Sequence, residues 1–274
     1  MRKTSCYGRF FVPAVIFALL LSLASGSAFA AQSGQERLPH DGLKVRKAVK
    51  LQPQPEAEVT IPQLKALFLS DGSVTLSGHG TVDARAPMHG YDFEVDLTRG
   101  TYTTRRLDQR EIEERDRLQG SPRKEQPVHR SREESLEKAT VYCARVRVRT
   151  EDPAFIDLTE TMTRLSWTIS STGALTSTYA ADSCWAANPS SLGTHWYTNY
   201  CTYGGLYTSS GRLCNDNRGD YYNYDFVFDD LITTANQYVY VCGRNDARYD
   251  YSWSHNDAGE GALLIFGSVV LGCS

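Results

Sequence analysis

Six cysteines, Cys143, Cys184, Cys201, Cys214, Cys242 and Cys273, fall in the second half of this 274-residue chain. Short β-favouring runs lie between them, and this combination constrains the fold more than any other feature. What the cysteines mean depends on the compartment. The first thirty residues read as a secretion signal, with Arg2, Lys3 and Arg9 before an apolar Phe10-to-Leu23 stretch and Ala28-Phe29-Ala30 as a cleavage site. The apolar run is shorter than the roughly 20 residues that a membrane-spanning helix needs. Cys6 lies ahead of it, so no cysteine is placed to carry a lipid anchor. The expectation is an exported protein with no stable membrane anchor.

In an oxidising compartment an even set of cysteines reads as disulfides, with 15 possible connectivities for six. Position along the chain favours Cys184–Cys201 as a local loop and Cys214–Cys242 between strands. Cys143–Cys273 would clamp the first and last strands of a domain. Zinc-like spacing is absent, and nothing in the sequence calls for a metal or a cofactor.

Charge divides the chain in the same place. Residues 139–274 hold 8 basic and 14 acidic residues, whereas 31–138 hold 18 of each. Nucleic acid and anionic membranes want a concentrated positive face, so an acidic domain disfavours both as partners. The organisation expected is a signal at 1–30, a proline-bearing flexible leader at 31–57, a small β segment at 58–107, a charged linker at 108–138 and a cysteine-rich all-β domain at 139–274.

Within the β segment, Leu67-Phe68-Leu69 and Val74-Thr75-Leu76 flank a Ser-Asp-Gly-Ser turn and predict a hairpin. Tyr91 to Leu97 alternates apolar and acidic residues, which predicts a strand presenting Asp92, Glu94 and Asp96 to water. The linker holds a capping-box pattern, Asp108-x-x-Glu111. Ile112, Leu118 and Leu136 are the apolar residues of its two short expected helices and give neither a broad face to bury, so a mobile, solvated connector is expected. In the cysteine-rich domain, Arg145, Arg147 and Arg149 share one face of a strand and read as charges guarding an exposed edge. Asn215-Asp216-Asn217-Arg218-Gly219-Asp220 reads as a turn. Ala262 to Cys273 is apolar enough for a central strand. These runs predict an all-β fold, a disulfide-stabilised sandwich or barrel.

Common catalytic motifs are missing: there is no GxSxG, HExxH, GxxxxGK[ST] or helix-opening GxGxxG. All four tryptophans and 13 of the 16 tyrosines lie between 139 and 274, and aromatic rings with polar edges suit recognition surfaces. Trp185, Asn188, His195, Trp196 and Tyr197, with Tyr222 and Tyr224, form the expected binding face. Core packing competes for the rings, because tryptophan is highly buried on average. The sequence therefore reads as a secreted, non-enzymatic binding protein for an extracellular glycan or protein. One alternative is a secreted hydrolase using His195 or His255 with a nearby carboxylate, Asp225, Asp229, Asp230, Asp257 or Glu260. The other is a structural cell-envelope protein.

Overall fold

Alternating apolar and polar residues put one face of most strands in the interior, and the described residues form sixteen strands in two stacked sheets. A computed structural model describes residues 44–54, 64–118, 126–130, 140–152, 157–187, 196–223, 233–258 and 264–273. In chain order the first strands are β1 (Val45–Lys50), β2 (Gln52–Pro53), β3 (Lys65–Leu69), β4 (Val74–Asp83), β5 (His89–Asp96) and β6 (Thr101–Leu107). Helix α1 (Gln109–Leu118) and β7 (Gln126–Arg130) follow. The remainder is β8 (Val141–Glu151), β9 (Asp157–Ile169), β10 (Leu175–Ala186), β11 (Trp196–Tyr203) and β12 (Tyr207–Ser209), then β13 (Arg212–Asn223), β14 (Thr233–Gly243), β15 (Arg248–Ala258) and β16 (Leu264–Leu271).

The first sheet runs β1-β3-β4-β15-β14-β13-β11, with β12 also on β13; the second runs β2-β6-β5-β16-β8-β9-β10-β7. Neither closes on itself, so the all-β expectation resolves to a sandwich rather than a barrel. Strands β9 and β10 pack across the gap on β13, and β8 and β9 on β14. The apolar run near the C-terminus is β16, which lies between β5 and β8 as a central strand. The three disulfides are Cys143–Cys273, Cys184–Cys201 and Cys214–Cys242, the pairs that chain position suggests.

Strands from 65–107 are shared between the sheets: β4 pairs with β15, and β5 pairs with β16. They are short of apolar surface for a sheet of their own and complete the two large ones instead. The segment expected as a flexible leader supplies β1, antiparallel to β3, and β2, parallel to β6. The predicted Leu67–Leu76 hairpin forms, with Gly72 at φ +88° supplying the left-handed residue of its turn.

Three sequence readings are corrected. The arginines of β8 do not guard an edge, because β8 is an interior strand; Arg149 is 1% exposed and Arg147 is also buried. Asp92 does not face water but is buried between Arg105 and Arg115, while Glu94 and Asp96 are half-buried. Asn215 to Asp220 is not a turn: it lies in the middle of β13, with Asn215 and Asn217 pointing inward, because acceptors in the opposite sheet take the bonds of their amide nitrogens.

Helix α1 is likewise docked rather than a mobile connector. Its capping box is complete, since Glu111 N donates to Asp108 Oδ1 at 2.9 Å and Asp108 N to Glu111 Oε2 at 3.1 Å. Ile112 is buried with Met88, Leu107 and Val270 on the outer face of the second sheet. Ionic contacts do the rest, which counting apolar residues could not show. The linker's second capping-box pattern, Ser131-x-x-Glu134, lies outside the described residues.

The apolar part of the interior joins Phe93, Val95, Val146, Val148, Leu165 and Trp167 to Val239, Val241, Tyr249 and Trp253. Phe93 and Trp253 stack with centroids 5.5 Å apart. Gly78 makes this possible: a Cβ there would lie 2.7 Å from Trp253 Nε1. Gly78→Ala is expected to destabilise the fold by about 1–3 kcal/mol through overpacking, read as a lower urea midpoint at unchanged slope.

Candidate functional site

Pairing and alternation decide which expected site residues can act together. Trp185 sits on β10 opposite Glu160, on the outer face of the second sheet. Trp196 sits on β11 opposite Asn223 and points between the sheets, where it packs with Tyr221 and Ala235 and is 5% exposed. Tyr197 and Tyr222 are opposite each other on the outer face of the first sheet. The expected aromatic face is thus distributed over two outer surfaces and the core. Asn188, His195 and Tyr224 lie outside the described residues, as do Asp225, Asp229, Asp230 and Glu260.

What remains together is a tyrosine strip along β11 and β13. Tyr197 stacks on Tyr222 with centroids 5.3 Å apart and rings 19° from parallel. Tyr197, Tyr200 and Tyr203 are 37%, 43% and 44% exposed. A bulge between Thr198 and Tyr200 brings Tyr200 opposite Asp220, back onto the face of Tyr197. Asn199, the extra residue, donates from Nδ2 to Asp220 Oδ2 at 2.8 Å and so holds the bulge in place. The Cys184–Cys201 bond ties this strand to β10 in the other sheet. Tyr200 belongs to the site although sequence reasoning did not single it out, whereas Tyr203, opposite the inward-pointing Asn217, lies on the other face of the strand. The signal for Tyr200 was present: an uncharged run dense in tyrosine.

Behind the strip the interior is polar. Asn217 Nδ2 donates to Met162 O at 2.9 Å and Ser183 O at 2.8 Å. Asn215 Nδ2 donates to Thr163 Oγ1 at 2.9 Å and Asp182 Oδ1 at 3.0 Å. Gln237 Nε2 donates to Thr150 Oγ1 at 3.0 Å and Thr159 Oγ1 at 2.9 Å. Tyr221 donates to Glu160 O and accepts from Thr161 Oγ1 at 2.7 Å. All of these bonds cross from one sheet to the other.

Two further constellations bear on chemistry. His255 Nε2 lies 2.9 Å from Asp257 Oδ2, so the histidine of the hydrolase reading does have a carboxylate beside it. That histidine is only 1% exposed, with Gln237 and Leu76 as its strand neighbours. The second is an ionic cluster beneath α1. Arg149 Nε meets Glu160 Oε2 at 2.8 Å and Asp157 Oδ2 at 3.1 Å, and its Nη2 reaches Asp116. Arg147 Nη1 meets Asp116 Oδ2 at 2.9 Å, and Arg115 bridges Asp92 and Glu151. Burial alone would raise the Asp116 carboxyl, but Arg147 and Arg149 bring it down to about 2. Glu151 goes the other way, pushed up by burial and then by Asp157. These groups are covered, and their geometry is that of a helix anchor.

Among the described residues no group of three or more His, Cys, Asp or Glu is placed to hold a metal ion. No helix among them is long and apolar enough to cross a membrane. Three disulfides fit an oxidising, extracellular-type environment. No protein-family model, curated protein or solved structure matches this chain.

Asp182 gives the site region a pH dependence. Burial, reinforced by Asp216 and only partly offset by bonds from Thr163 and Asn215, pushes its carboxyl up to about 7 from an ordinary 3.8. Between those values the folded chain holds a proton that the unfolded chain has lost, so stability falls as pH rises through this window and levels off above 7. Asp182→Asn keeps the shape and the bond from Asn215. It is expected to flatten the slope between pH 4 and 7 and to add about 2–4 kcal/mol at pH 8, measured by urea unfolding across that range.

Proposed function

We propose that this protein is exported and acts by binding, with the tyrosine strip of β11 and β13 as its ligand face. Its ligand is an extracellular glycan, and a neutral polysaccharide suits the face best. The observation that carries this reading is the Tyr197–Tyr222 stack with Tyr200 exposed beside it. A flat sheet surface bearing rings offers apolar planes to the CH faces of sugar rings, while phenol oxygens and amides at the margin meet hydroxyl groups. Asp220 and Asn199 supply that margin. The acidic character of the domain argues against polyanionic glycans. Export is supported by the signal-like N-terminal pattern together with the disulfides.

The hydrolase reading has the His255–Asp257 pair in its favour, but burial leaves that pair no route to a polymer. A protein ligand would use the same tyrosines, since such rings also dominate protein interfaces.

Isothermal titration of the oxidised protein against neutral and acidic polysaccharides, with the same samples checked for released sugars, tests the proposal. Saturable binding of a neutral glycan without product is expected. Tyr197→Ala and Tyr222→Ala should each weaken it at least about tenfold, or ~1.4 kcal/mol, with the far-UV spectrum unchanged. Product release would move the assignment to the hydrolase. Binding that survives both substitutions in folded protein would remove the strip from the site.

A further inference from the structure

Every sheet edge is a row of unpaired backbone donors and acceptors, and folded proteins blunt these rows with charge, proline, shortness or bulges. The edges of this sandwich can be compared directly. On the first sheet, β1 carries Arg46, Lys47 and Lys50, and β12 is only three residues long. On the second, β2 contains Pro53 and β7 contains Pro127. The exception is β11. Its eight residues, Trp-Tyr-Thr-Asn-Tyr-Cys-Thr-Tyr, contain neither a charge nor a proline, and its one blunting device is the bulge at Asn199. Six of the eight are exposed.

We propose that β11 is a pairing edge and that its occupant is β11 of a second copy of this chain. The strand is self-complementary in the sense that a two-fold axis requires. With Asn199 bulged out, Tyr197, Tyr200 and Thr202 share the outer face at even spacing and Thr198 and Cys201 share the inner one, so a two-fold axis at Tyr200 brings outer residues against outer and inner against inner. Antiparallel pairing about Tyr200, with the extra residue absorbed at Asn199, sets Tyr200 against its own equivalent. Tyr197 then meets Thr202 and Thr198 meets Cys201. These aromatic and threonine pairs are of the kind that stabilise sheets, and no like charges are opposed in an otherwise acidic domain. The Cys184–Cys201 bond and the Asn199–Asp220 bond already hold the edge in its strand conformation, so little ordering is left to be done on association.

Pairing would join the two first sheets edge to edge. Tyr197, Tyr200 and Tyr222 of both copies then form one surface, which offers two neighbouring rows of rings to a polymer. This last consequence rests on the glycan reading; the pairing does not.

The test is the mass of the oxidised full-length protein, measured by light scattering after gel filtration from about 1 to 100 µM. A shift from one copy to two over that range is expected. Thr198→Lys adds the missing edge charge at an exposed position on the side away from the rings, and, separately, Thr202→Lys adds it at an exposed position on the ring face. Each should hold the protein at one copy throughout, with its melting temperature unchanged. A wild-type protein that stays at one copy overturns the pairing. So does a two-copy mass that survives either folded lysine variant, or a mass that keeps growing past two. Glycan titration of the same samples separates the two readings. One-copy protein that binds sinks the pairing and leaves the tyrosine face standing, whereas two-copy protein that binds no glycan does the reverse.

Discussion

The amide of Asn217 is the contact on which the geometry of this sandwich turns. It leaves the middle of β13, crosses the interior and donates to two main-chain carbonyls of the opposite sheet, on β9 and β10. Asn215 and Gln237 do the same on either side of it, through threonine hydroxyls and Asp182. Apolar packing is nearly indifferent to small slides of one sheet over another, whereas a hydrogen bond at 2.8–3.0 Å tolerates very little. These bonds fix how the sheets face each other. Each net bond contributes only about 1 kcal/mol, but leaving such an amide buried and unmet costs about 1–3 kcal/mol. Alternative registers are therefore excluded more strongly than the native one is stabilised. The position of β11, and with it the tyrosine strip, follows from that constraint.

A second polar layer works differently. Arg149, Glu160 and Asp157 are taken out of water on the outer face of the second sheet, and Asp116 of α1 completes the set. Replacing such a cluster with apolar residues often costs nothing, but removing one member strands the others. The cluster thus makes α1 conditional: the helix must sit where Asp116 meets Arg147 and Arg149, because anywhere else leaves two guanidinium groups without that partner. One buried isoleucine would not have specified the helix position on its own.

How much of this was legible beforehand depended on whether a signal was local. Strand periodicity, the hairpin at Gly72, the capping box at Asp108 and the central placement of β16 are all properties of short windows, and they read correctly. The disulfide pairs agree with chain position, the first cysteine joined to the last and the other four joined as neighbours. Arg147 and Asp92 were misread for one common reason. Polar residues on a strand face are assigned to water unless a partner is known, and their partners lie on α1, far away in the chain. The Asn-Asp-Asn-Arg-Gly-Asp run has the composition of a turn, and only the opposite sheet's carbonyls make it a strand. Trp185 and Trp196 were grouped by proximity in sequence, although alternation and a change of sheet between β10 and β11 send them to different surfaces.

The candidate surface inherits its character from the same rules. An aromatic ring on a strand is buried if its neighbours on that face are covered and exposed if they are not, and β11 is the strand where coverage stops. Trp196, at its beginning, still packs under Tyr221 and Ala235; Tyr197, one residue on, is turned to the other face and stacks on Tyr222. The bulge at Asn199 then returns Tyr200 to the face of Tyr197, where an unbroken alternation would have put it on the opposite side. The strip is thus built by an irregularity rather than by the repeat, and Asp220 is the residue that holds that irregularity through Asn199. A strand designed only to close the sandwich would have no need of it. An edge with Tyr197, Tyr200 and Tyr222 gathered on one face, pinned by a disulfide and left without charge, is the ground on which the proposed binding role stands.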